Sequence, residues 1–405
     1  MCGLFGEFGP DTLTRTDALA DISRTLYHRG PDDDGLASGD GWMLGFRRLA
    51  ILDLSNAGHQ PMKSPDGRYV LAFNGEVYNY RELRTALEET GERFASGTDT
   101  EVLLRLLTLK GAAATLAMAN GMYAFALVDL KERRFVLARD RLGVKPLVIQ
   151  ATRRGLRFAS ELKALLAWPD APRELDRQAL ADYLATGYVA GEGSILKGYV
   201  KLPPGHFAEG SLDSPSIVPQ RYWQVDIQPG SDGSVRMEAA AEALDALLAD
   251  AVALRLRSDV PMALLLSGGI DSGLVAAHAA ATGVPPLALV AGTGMSPDGT
   301  GRDPSDETDL ARATARHLGL TLAELDLGPD DLSDVDAISR VYDEPFADPS
   351  ALAMMRICAL ARRSATVLLS GDGGDEAFGG YRRYLETARR GWLIAIPPAV
   401  RRMAW

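Results

Sequence analysis

Two periodicities divide this chain. In the first half, short runs of alternating or β-branched residues at 68–73, 123–130 and 134–138 predict strands, the last two joined by a polar turn at 131–133. Apolar residues recurring at helical spacing over 80–89, 100–109 and 177–185 predict helices between them. That mixture predicts an α+β sandwich. Stretches rich in Gly, Ser, Pro and Asp at 210–219 and 228–234 break both periods and read as a crossing between domains. Beyond it a helix over 238–257 opens a regular alternation, with strand signals at 262–266, 286–290, 320–326 and 366–369 and helix signals at 273–281, 309–318 and 350–362. Strands spaced in this way predict a doubly wound parallel sheet that binds ligands at the carboxyl ends of its strands.

Composition adds limits to this picture. A chain of 405 residues has room for two or three domains, and 46% hydrophobic with 24% charged residues is ordinary for a globular protein. The net charge of -11 argues against a general nucleic-acid surface, which needs clustered Lys and Arg. The arginines near 382–402 are interleaved with carboxylates and aliphatics and read as a solvated helix face. The only two cysteines, Cys2 and Cys358, lie in unrelated contexts, so no disulfide framework and a reducing, cytoplasmic setting are expected, with Cys358 in a core helix. No basic leader with an apolar core opens the chain, and no apolar run reaches the roughly 18 residues of a membrane span, so no membrane partner is expected.

The candidate chemistry starts at Cys2. Removal of Met1 would put a thiol and a free α-amine on one residue, and an α-amine with a pKa of roughly 7.7 to 8.0 is a base at working pH. The run Gly3 to Gly6 reads as a strand start that would fix this terminus. Asn74-Gly75, ending a strand, is by itself a tight turn. Beside an N-terminal thiol, the Asn74 amide and the Gly75 N–H become candidate oxyanion donors. Arg48, before an apolar strand over 49–52, is placed to grip a carboxylate. Asp99, flanked by threonines, reads equally as partner to a substrate ammonium or as a helix cap. His28-Arg29-Gly30-Pro31-Asp32 reads as structural support. In the second half, Ser267-Gly268-Gly269-Ile270-Asp271-Ser272 follows a strand and opens a helix, as a pyrophosphate cradle does. It lacks a Walker A lysine, and no dinucleotide fingerprint occurs anywhere. Ser370-Gly371-Asp372-Gly373-Gly374-Asp375-Glu376 packs three acids into five positions, a repulsion that a metal would relieve, so Asp271 and Asp375 are candidate Mg²⁺ ligands.

With these residues in place, the chain resembles the glutamine-dependent asparagine synthetases, in which a class II glutamine amidotransferase domain is fused to an ATP-pyrophosphatase-type synthetase domain. The resemblance rests on Met1-Cys2-Gly3, HRGPD at 28–32, RRLAILDL at 47–54, FNGEVYN at 73–79, SGTDTEVLL at 96–104, GMYAFAL at 121–127, ARDRLGVKPL at 138–147, SELKAL at 160–165, LPPGH at 202–206, SGGIDS at 267–272 and SGDGGDEAFGGY at 370–381. It implies an N-terminal-nucleophile sandwich (αββα) over 1–208, a linker over 209–236 and an α/β doubly wound synthetase domain over 237–405, shortened at its C-terminus. Carried onto matching positions, it implies that Cys2 attacks glutamine, that Asn74 and Gly75 hold the oxyanion, and that Arg48, Leu49, Ile51, Leu52, Glu76 and Asp99 bind the substrate. Ammonia would then pass through an apolar passage to where ATP adenylylates a carboxylate. Leu266, Ser267, Gly268, Gly269, Asp271, Ser272, Ala291, Ser370 and Gly371 would contact ATP, with Mg²⁺ on Asp271 and Asp375. The resemblance departs at Asp372, where many such enzymes carry a longer Glu that acts on the acyl-adenylate and ammonia, and at the absence of the helical stretch that carries a lysine in the family. These departures keep several readings open beside aspartate as the default acceptor: a sugar or peptide acid in its place, an uncoupled glutaminase, and a non-catalytic nucleotide sensor. The oligomeric state is open too, a homodimer included.

Overall fold

A computed structural model of the chain describes residues 2–10, 12, 16–153, 155–226, 236–292, 307–327, 334–392 and 396. Met1, the 228–234 part of the predicted crossing and the final residues 397–405 lie outside the described residues. The chain forms two compact units, one of Met1–Arg236, Arg257–Val260 and Asp331–Met355, the other of Met237–Leu256, Pro261–Asp330 and Arg356–Trp405.

The first unit is built on strands β1 (Gly3–Phe8), β2 (Asp33–Gly39), β3 (Trp42–Arg48), β4 (Met62–Lys63), β5 (Tyr69–Val77), β6 (Gly121–Asp129), β7 (Arg134–Arg139), β8 (Val148–Ala151), β9 (Leu156–Ala159), β10 (Tyr199–Lys201), β11 (His206–Ser211) and β12 (Gln220–Arg221). They make two antiparallel sheets, in the orders β10-β8-β9-β1-β3-β2 and β12-β11-β7-β6-β5-β4. Successive side chains of a strand point to opposite faces, so each strand serves two layers. In β5, Val70 and Ala72 join Leu4, Phe8, Phe46, Ala126 and Phe158 in a core between the sheets. The intervening Leu71 and Phe73 pack on Leu83, Val102 and Leu106 of the helices Tyr80–Glu89 and Asp99–Met118. On the outer side of the first sheet, Phe5, Met43 and Val148 pack on Ile22, Leu26, Leu162 and Trp168. The result is the predicted α+β sandwich, layered helix, sheet, sheet, helix.

The first strand sits in the middle of its sheet, and two glycines make room for it. A Cβ on Gly6 would come within 2.3 Å of the Phe158 ring and 2.6 Å of the Met43 carbonyl, and one on Gly45 within 2.1 Å of Phe5.

Several local expectations change. The strand predicted over 49–52 instead ends at Arg48, because the Arg48 guanidinium binds the carbonyls of Leu52, Asp53 and Ser55 and folds the following loop back on itself. Asn74-Gly75 is not a turn: both residues lie inside β5, opposite Ala124 and Tyr123. The helix predicted over 100–109 stops at a kink at Gly111, φ 75°, and a second helical segment carries on to Met118. Its Ala-rich second half carries no strong apolar stripe to announce it. The described part of the predicted crossing carries the end of β11 and β12.

In the second unit, β13 (Met262–Leu265), β14 (Leu287–Gly292), β15 (Leu322–Asp326) and β16 (Val367–Leu369) are parallel, in the order β15-β14-β13-β16. Leu264 and Val290 face Ala276, Ala311 and Ala315 of the helices Ile270–Ala281 and Thr308–Leu318. Ala263 and Leu289 face Ala361 and Ala365. Both faces are covered, as a doubly wound sheet requires. The chain reverses its winding between β13 and β16, and a crevice for ligands opens at such a switch point. Cys358 lies in the predicted helix, Ser350–Ala361, but is exposed rather than core, since the small Ala351 and Ala361 take the buried positions. Among the described residues no helix is long and apolar enough to cross a membrane.

Because Met43 presents backbone to Gly6, that contact cannot relax by a side-chain rotation. Gly6→Ala is expected to destabilise the sandwich unit by about 1–3 kcal/mol, read as a lower urea midpoint with an unchanged slope.

Candidate active sites

Cys2 immediately precedes β1, partly buried, with its sulfur accepting the Leu49 N–H at 3.3 Å. Its carbonyl accepts the Arg29 Nε–H at 2.8 Å, so the HRGPD segment supports Cys2 directly. In the chain that still carries Met1, burial holds the thiol above its usual range, against the pull of the Leu49 N–H and of the Lys145 and Arg29 charges.

On β5, Asn74 is wholly buried, at 0% exposed, and neither its Nδ2 nor its Oδ1 has a hydrogen-bond partner among the described residues. An orphaned amide of this kind is costly, which marks it as a group awaiting a ligand. The next residue, Gly75, brings its backbone so close to β6 that a Cβ would meet the Met122 carbonyl at 2.2 Å. Glu76 follows, pushed up to about 7 by burial and by the Asp99 carboxylate, with Lys145 pulling the other way. Asp99 is buried as well, and burial raises it to about 6 although its Oδ2 accepts the Val77 N–H at 2.8 Å. It does not cap its helix. Thr98 does, its hydroxyl accepting the Glu101 N–H at 3.2 Å, which leaves the Asp99 carboxylate beside Glu76.

Arg48 is buried at the end of β3, and three of its N–H donors go to the carbonyls of Leu52, Asp53 and Ser55. The bidentate grip read from the sequence would therefore have to share a guanidinium already shaping the loop around Ile51 and Leu52. Asp53, at a left-handed φ of 52°, ties that loop to Gly97, accepting its N–H at 2.7 Å. Both ends of the expected glutamine pocket are thus linked.

Sequence reasoning missed Lys145. It is 3% exposed, and burial lowers it to about 8, with Arg29 acting in the same direction and Cys2 and Glu76 opposing. Its field reaches both the thiol and the Glu76 carboxylate, so the predicted Cys2 and Glu76 gather around it, with Asp99 beside Glu76. Its loop is fixed from both sides. The Asp140 carboxylate accepts the N–H groups of Tyr123, Leu142, Val144 and Lys145, and the Arg139 guanidinium donates to the carbonyls of Gly143, Lys145 and Leu202. The available signal was charge alternation directly after β7, in the ARDRLGVKPL motif.

In the second unit, the loops after β13 and β16 meet. A Cβ on Gly371 would lie 2.6 Å from the Ser272 nitrogen, and one on Gly374 would lie 2.3 Å from the Asp271 Oδ2. Ser267 and Ser272 lock the first loop, with their hydroxyls 2.9 Å apart. The helix Ile270–Ala281 begins at Gly269 with no side-chain cap, and the Gly268 N–H donates to a carboxylate, that of Glu307, at 2.9 Å. Leu266 and Ala291 lie at the carboxyl ends of neighbouring strands. The predicted nucleotide contacts therefore share one edge of the sheet.

The three acids of the second loop do not converge as expected. Asp372 accepts the Ser370 hydroxyl at 2.9 Å, Glu376 accepts the Tyr381 hydroxyl at 2.7 Å, and Asp375 fills the space over Gly380. Each of the three acids thus has its own partner near the loop. Among the described residues no group of three or more His, Cys, Asp or Glu side chains is placed to hold a metal. Mg²⁺ delivered by a nucleotide needs only one or two carboxylates beside the phosphates. Asp271 and Asp375, on the two meeting loops, fit that role and not a resident protein cage.

Residues 1–223 match the family model described as glutamine amidotransferase domain, and residues 243–405 match that described as asparagine synthase. The chain is 34% identical over 410 residues to asparagine synthetase (glutamine-hydrolyzing) 1 of Bacillus subtilis (strain 168), covering 100% of this chain and 62% of that protein. It is 33% identical over 429 residues to putative asparagine synthetase (glutamine-hydrolyzing) 2 of Methanocaldococcus jannaschii, covering 99% and 79%. To asparagine synthetase B (glutamine-hydrolyzing) of Escherichia coli (strain K12) it is 31% identical over 413 residues, covering 94% and 65%. It thus spans 62% of the length of the B. subtilis relative and 65% of the E. coli one. With both units matched by family models and a third of its residues shared over nearly its whole length, the chain belongs to the glutamine-hydrolysing asparagine synthetase family.

Proposed function

We propose that the chain is a cytoplasmic, ATP-dependent amidotransferase that takes nitrogen from glutamine and forms an amide on a carboxylate, aspartate by default. The observation that carries the reading is the buried Asn74 amide with both polar atoms unpaired, on the strand that also presents Gly75 and Glu76. After loss of Met1, the Cys2 α-amine takes the thiol proton and the thiolate attacks the glutamine side-chain amide carbon. Asn74 Nδ2 and the Gly75 N–H stabilise the oxyanion, ammonia leaves, and water hydrolyses the thioester to glutamate. Glu76 and Asp99, both held partly protonated by burial, supply the negative charge for the substrate ammonium, while Arg48 and the backbone of Leu49, Ile51 and Leu52 line the carboxylate end.

In the second unit, Leu266, Ala291 and the loops Ser267–Ser272 and Ser370–Gly371 hold ATP at the switch point, with phosphate on the N–H groups that open the helix. Mg²⁺ bound with the nucleotide would neutralise phosphate charge, with Asp271 and Asp375 as its protein ligands. The carboxylate displaces pyrophosphate to give an acyl-adenylate, ammonia displaces AMP, and Asp372 faces that exchange. Incubation with glutamine, with and without ATP and aspartate, tests the reading: glutamate, pyrophosphate and asparagine should appear together. Glutamate alone would reduce the chain to a glutaminase, and mass analysis finding Met1 retained on fully active protein would refute the nucleophile.

Asn74→Ala is expected to lower kcat for glutamine hydrolysis by roughly 10²- to 10³-fold with KM little changed. As pH falls through about 7 and then about 6, Glu76 and Asp99 take up protons, so KM for glutamine should rise, at most roughly tenfold per unit between the two values and more steeply below the lower one. A KM that stays flat from pH 8 to pH 5.5 would dismiss this pair as the ammonium site. The same shifts have a stability consequence, since a carboxyl raised in the folded state stabilises it at low pH and loses that contribution as pH rises through the folded value. Glu76→Gln should therefore unfold at higher urea than the parent at pH 8 while binding glutamine poorly. Gly371→Ala, which drives a methyl into the Ser272 backbone, should abolish pyrophosphate release and leave ATP-independent glutamine hydrolysis intact.

A further inference from the structure

Glu161 stands at the start of the short helix Leu162–Leu166, in the position whose side chain ordinarily accepts an N–H from the first turn. It makes no such bond. The Lys163 N–H, which it would take, donates at 2.9 Å to Asp343 Oδ2, a carboxylate 180 residues downstream. Released from capping, the Glu161 carboxylate turns to Arg29, accepting from Nη1 at 2.6 Å, and the same guanidinium donates from Nε to the Cys2 carbonyl at 2.8 Å. Lys163 Nζ closes the chain, 2.5 Å from Glu161 and 3.0 Å from Asp343. His28 lies 3.0 Å from the other side of Glu161.

The pairs are shielded: the Arg29, Glu161 and Asp343 side chains are 7%, 11% and 9% exposed. Although burial works against it, hydrogen bonds from His28 and Lys163 and the Arg29 charge keep Glu161 ionised, down to about 2. A buried ion pair whose partners are fixed by further hydrogen bonds holds geometry well, and losing one partner leaves the other charge uncompensated. Asp343 adopts a left-handed φ of 63°, a conformation aspartate tolerates better than most residues and one that aims its carboxylate at Lys163.

We infer that Glu161 is a positioning residue for the Cys2 nucleophile, fixing the Cys2 carbonyl through Arg29, and that Asp343 keeps it in this role by capping the helix in its place. The inference rests on the glutaminase reading proposed above. The Cys2 backbone is held at its carbonyl by Arg29 and its sulfur is met by the Leu49 N–H, so a shift of that carbonyl moves the sulfur relative to its partner. A misplacement of about 1 Å at such a point costs up to roughly 10²-fold in rate.

The test compares parent, Glu161→Gln and Asp343→Asn. In Glu161→Gln, kcat for glutamine hydrolysis should fall roughly 10- to 100-fold while KM moves less than about twofold. Alkylation of Cys2 by iodoacetamide followed against pH should shift its midpoint downward, because Arg29 then acts on the thiolate without a compensating carboxylate. A merely structural residue would lower kcat without moving that midpoint. Asp343→Asn should change both quantities in the same directions by a smaller factor, and it carries the test if Glu161→Gln does not fold by circular dichroism. Parental kcat with an unmoved alkylation midpoint in the folded variant, or a loss confined to KM, overturns the inference. A parent chain that hydrolyses no glutamine refutes the glutaminase reading instead, and the alkylation profiles then still decide whether Glu161 acts on Cys2.

Discussion

The sandwich unit depends on one interior strand that cannot shift alone. The strand after Cys2 runs down the middle of a six-stranded sheet, hydrogen-bonded to β3 on one side and β9 on the other. Its side chains are divided between the core of the two sheets and the outer helical layer, so nothing along it can slip without disturbing two packed cores. Gly6 and Gly45 are where this density is tightest, with aromatic rings occupying the space their side chains would need. Cys2 immediately precedes this strand, so the sheet that fixes Gly3–Phe8 also fixes the Cys2 backbone.

The price of the site is electrostatic. Two carboxylates, a lysine and a thiol are taken out of water in one neighbourhood, and burial moves each of them toward neutrality. Such a cluster opposes folding, because each group loses hydration that its neighbours only partly replace. The unpaired Asn74 amide belongs to the same pattern. Buried polar atoms without partners are rare in a settled core, and here they coincide with perturbed carboxyls, a combination that marks a binding site.

The parallel-sheet unit meets its constraint differently. Its loops approach each other through glycines, so that backbone lies against backbone at the winding reversal, and the Gly268 N–H just ahead of the first helix donates to the Glu307 carboxylate. The acids of the second loop take individual partners, Asp372 the Ser370 hydroxyl and Glu376 the Tyr381 hydroxyl.

The pattern of apolar residues by itself determined the class of both units, because a period of two and a period of 3.6 are properties of local geometry that survive in any context. The helices Tyr80–Glu89 and Thr308–Leu318 and the strands β5, β7 and β16 stand within a few residues of where that pattern puts them. Residue chemistry also singled out Cys2, Asn74 and Asp99, since thiol, amide and acid were each unusual where they stood. Only the tertiary structure decided what depends on distant partners. It placed Asn74-Gly75 inside a strand rather than at its end, gave the cap to Thr98 and freed Asp99, spent Arg48 largely on its own loop, and left Cys358 exposed. It also brought Lys145 to the thiol and linked Glu161 to a residue 132 positions before it and Lys163 to one 180 positions after. Side-chain charge pairs carry no period, so the sequence holds their members without recording which of them meet.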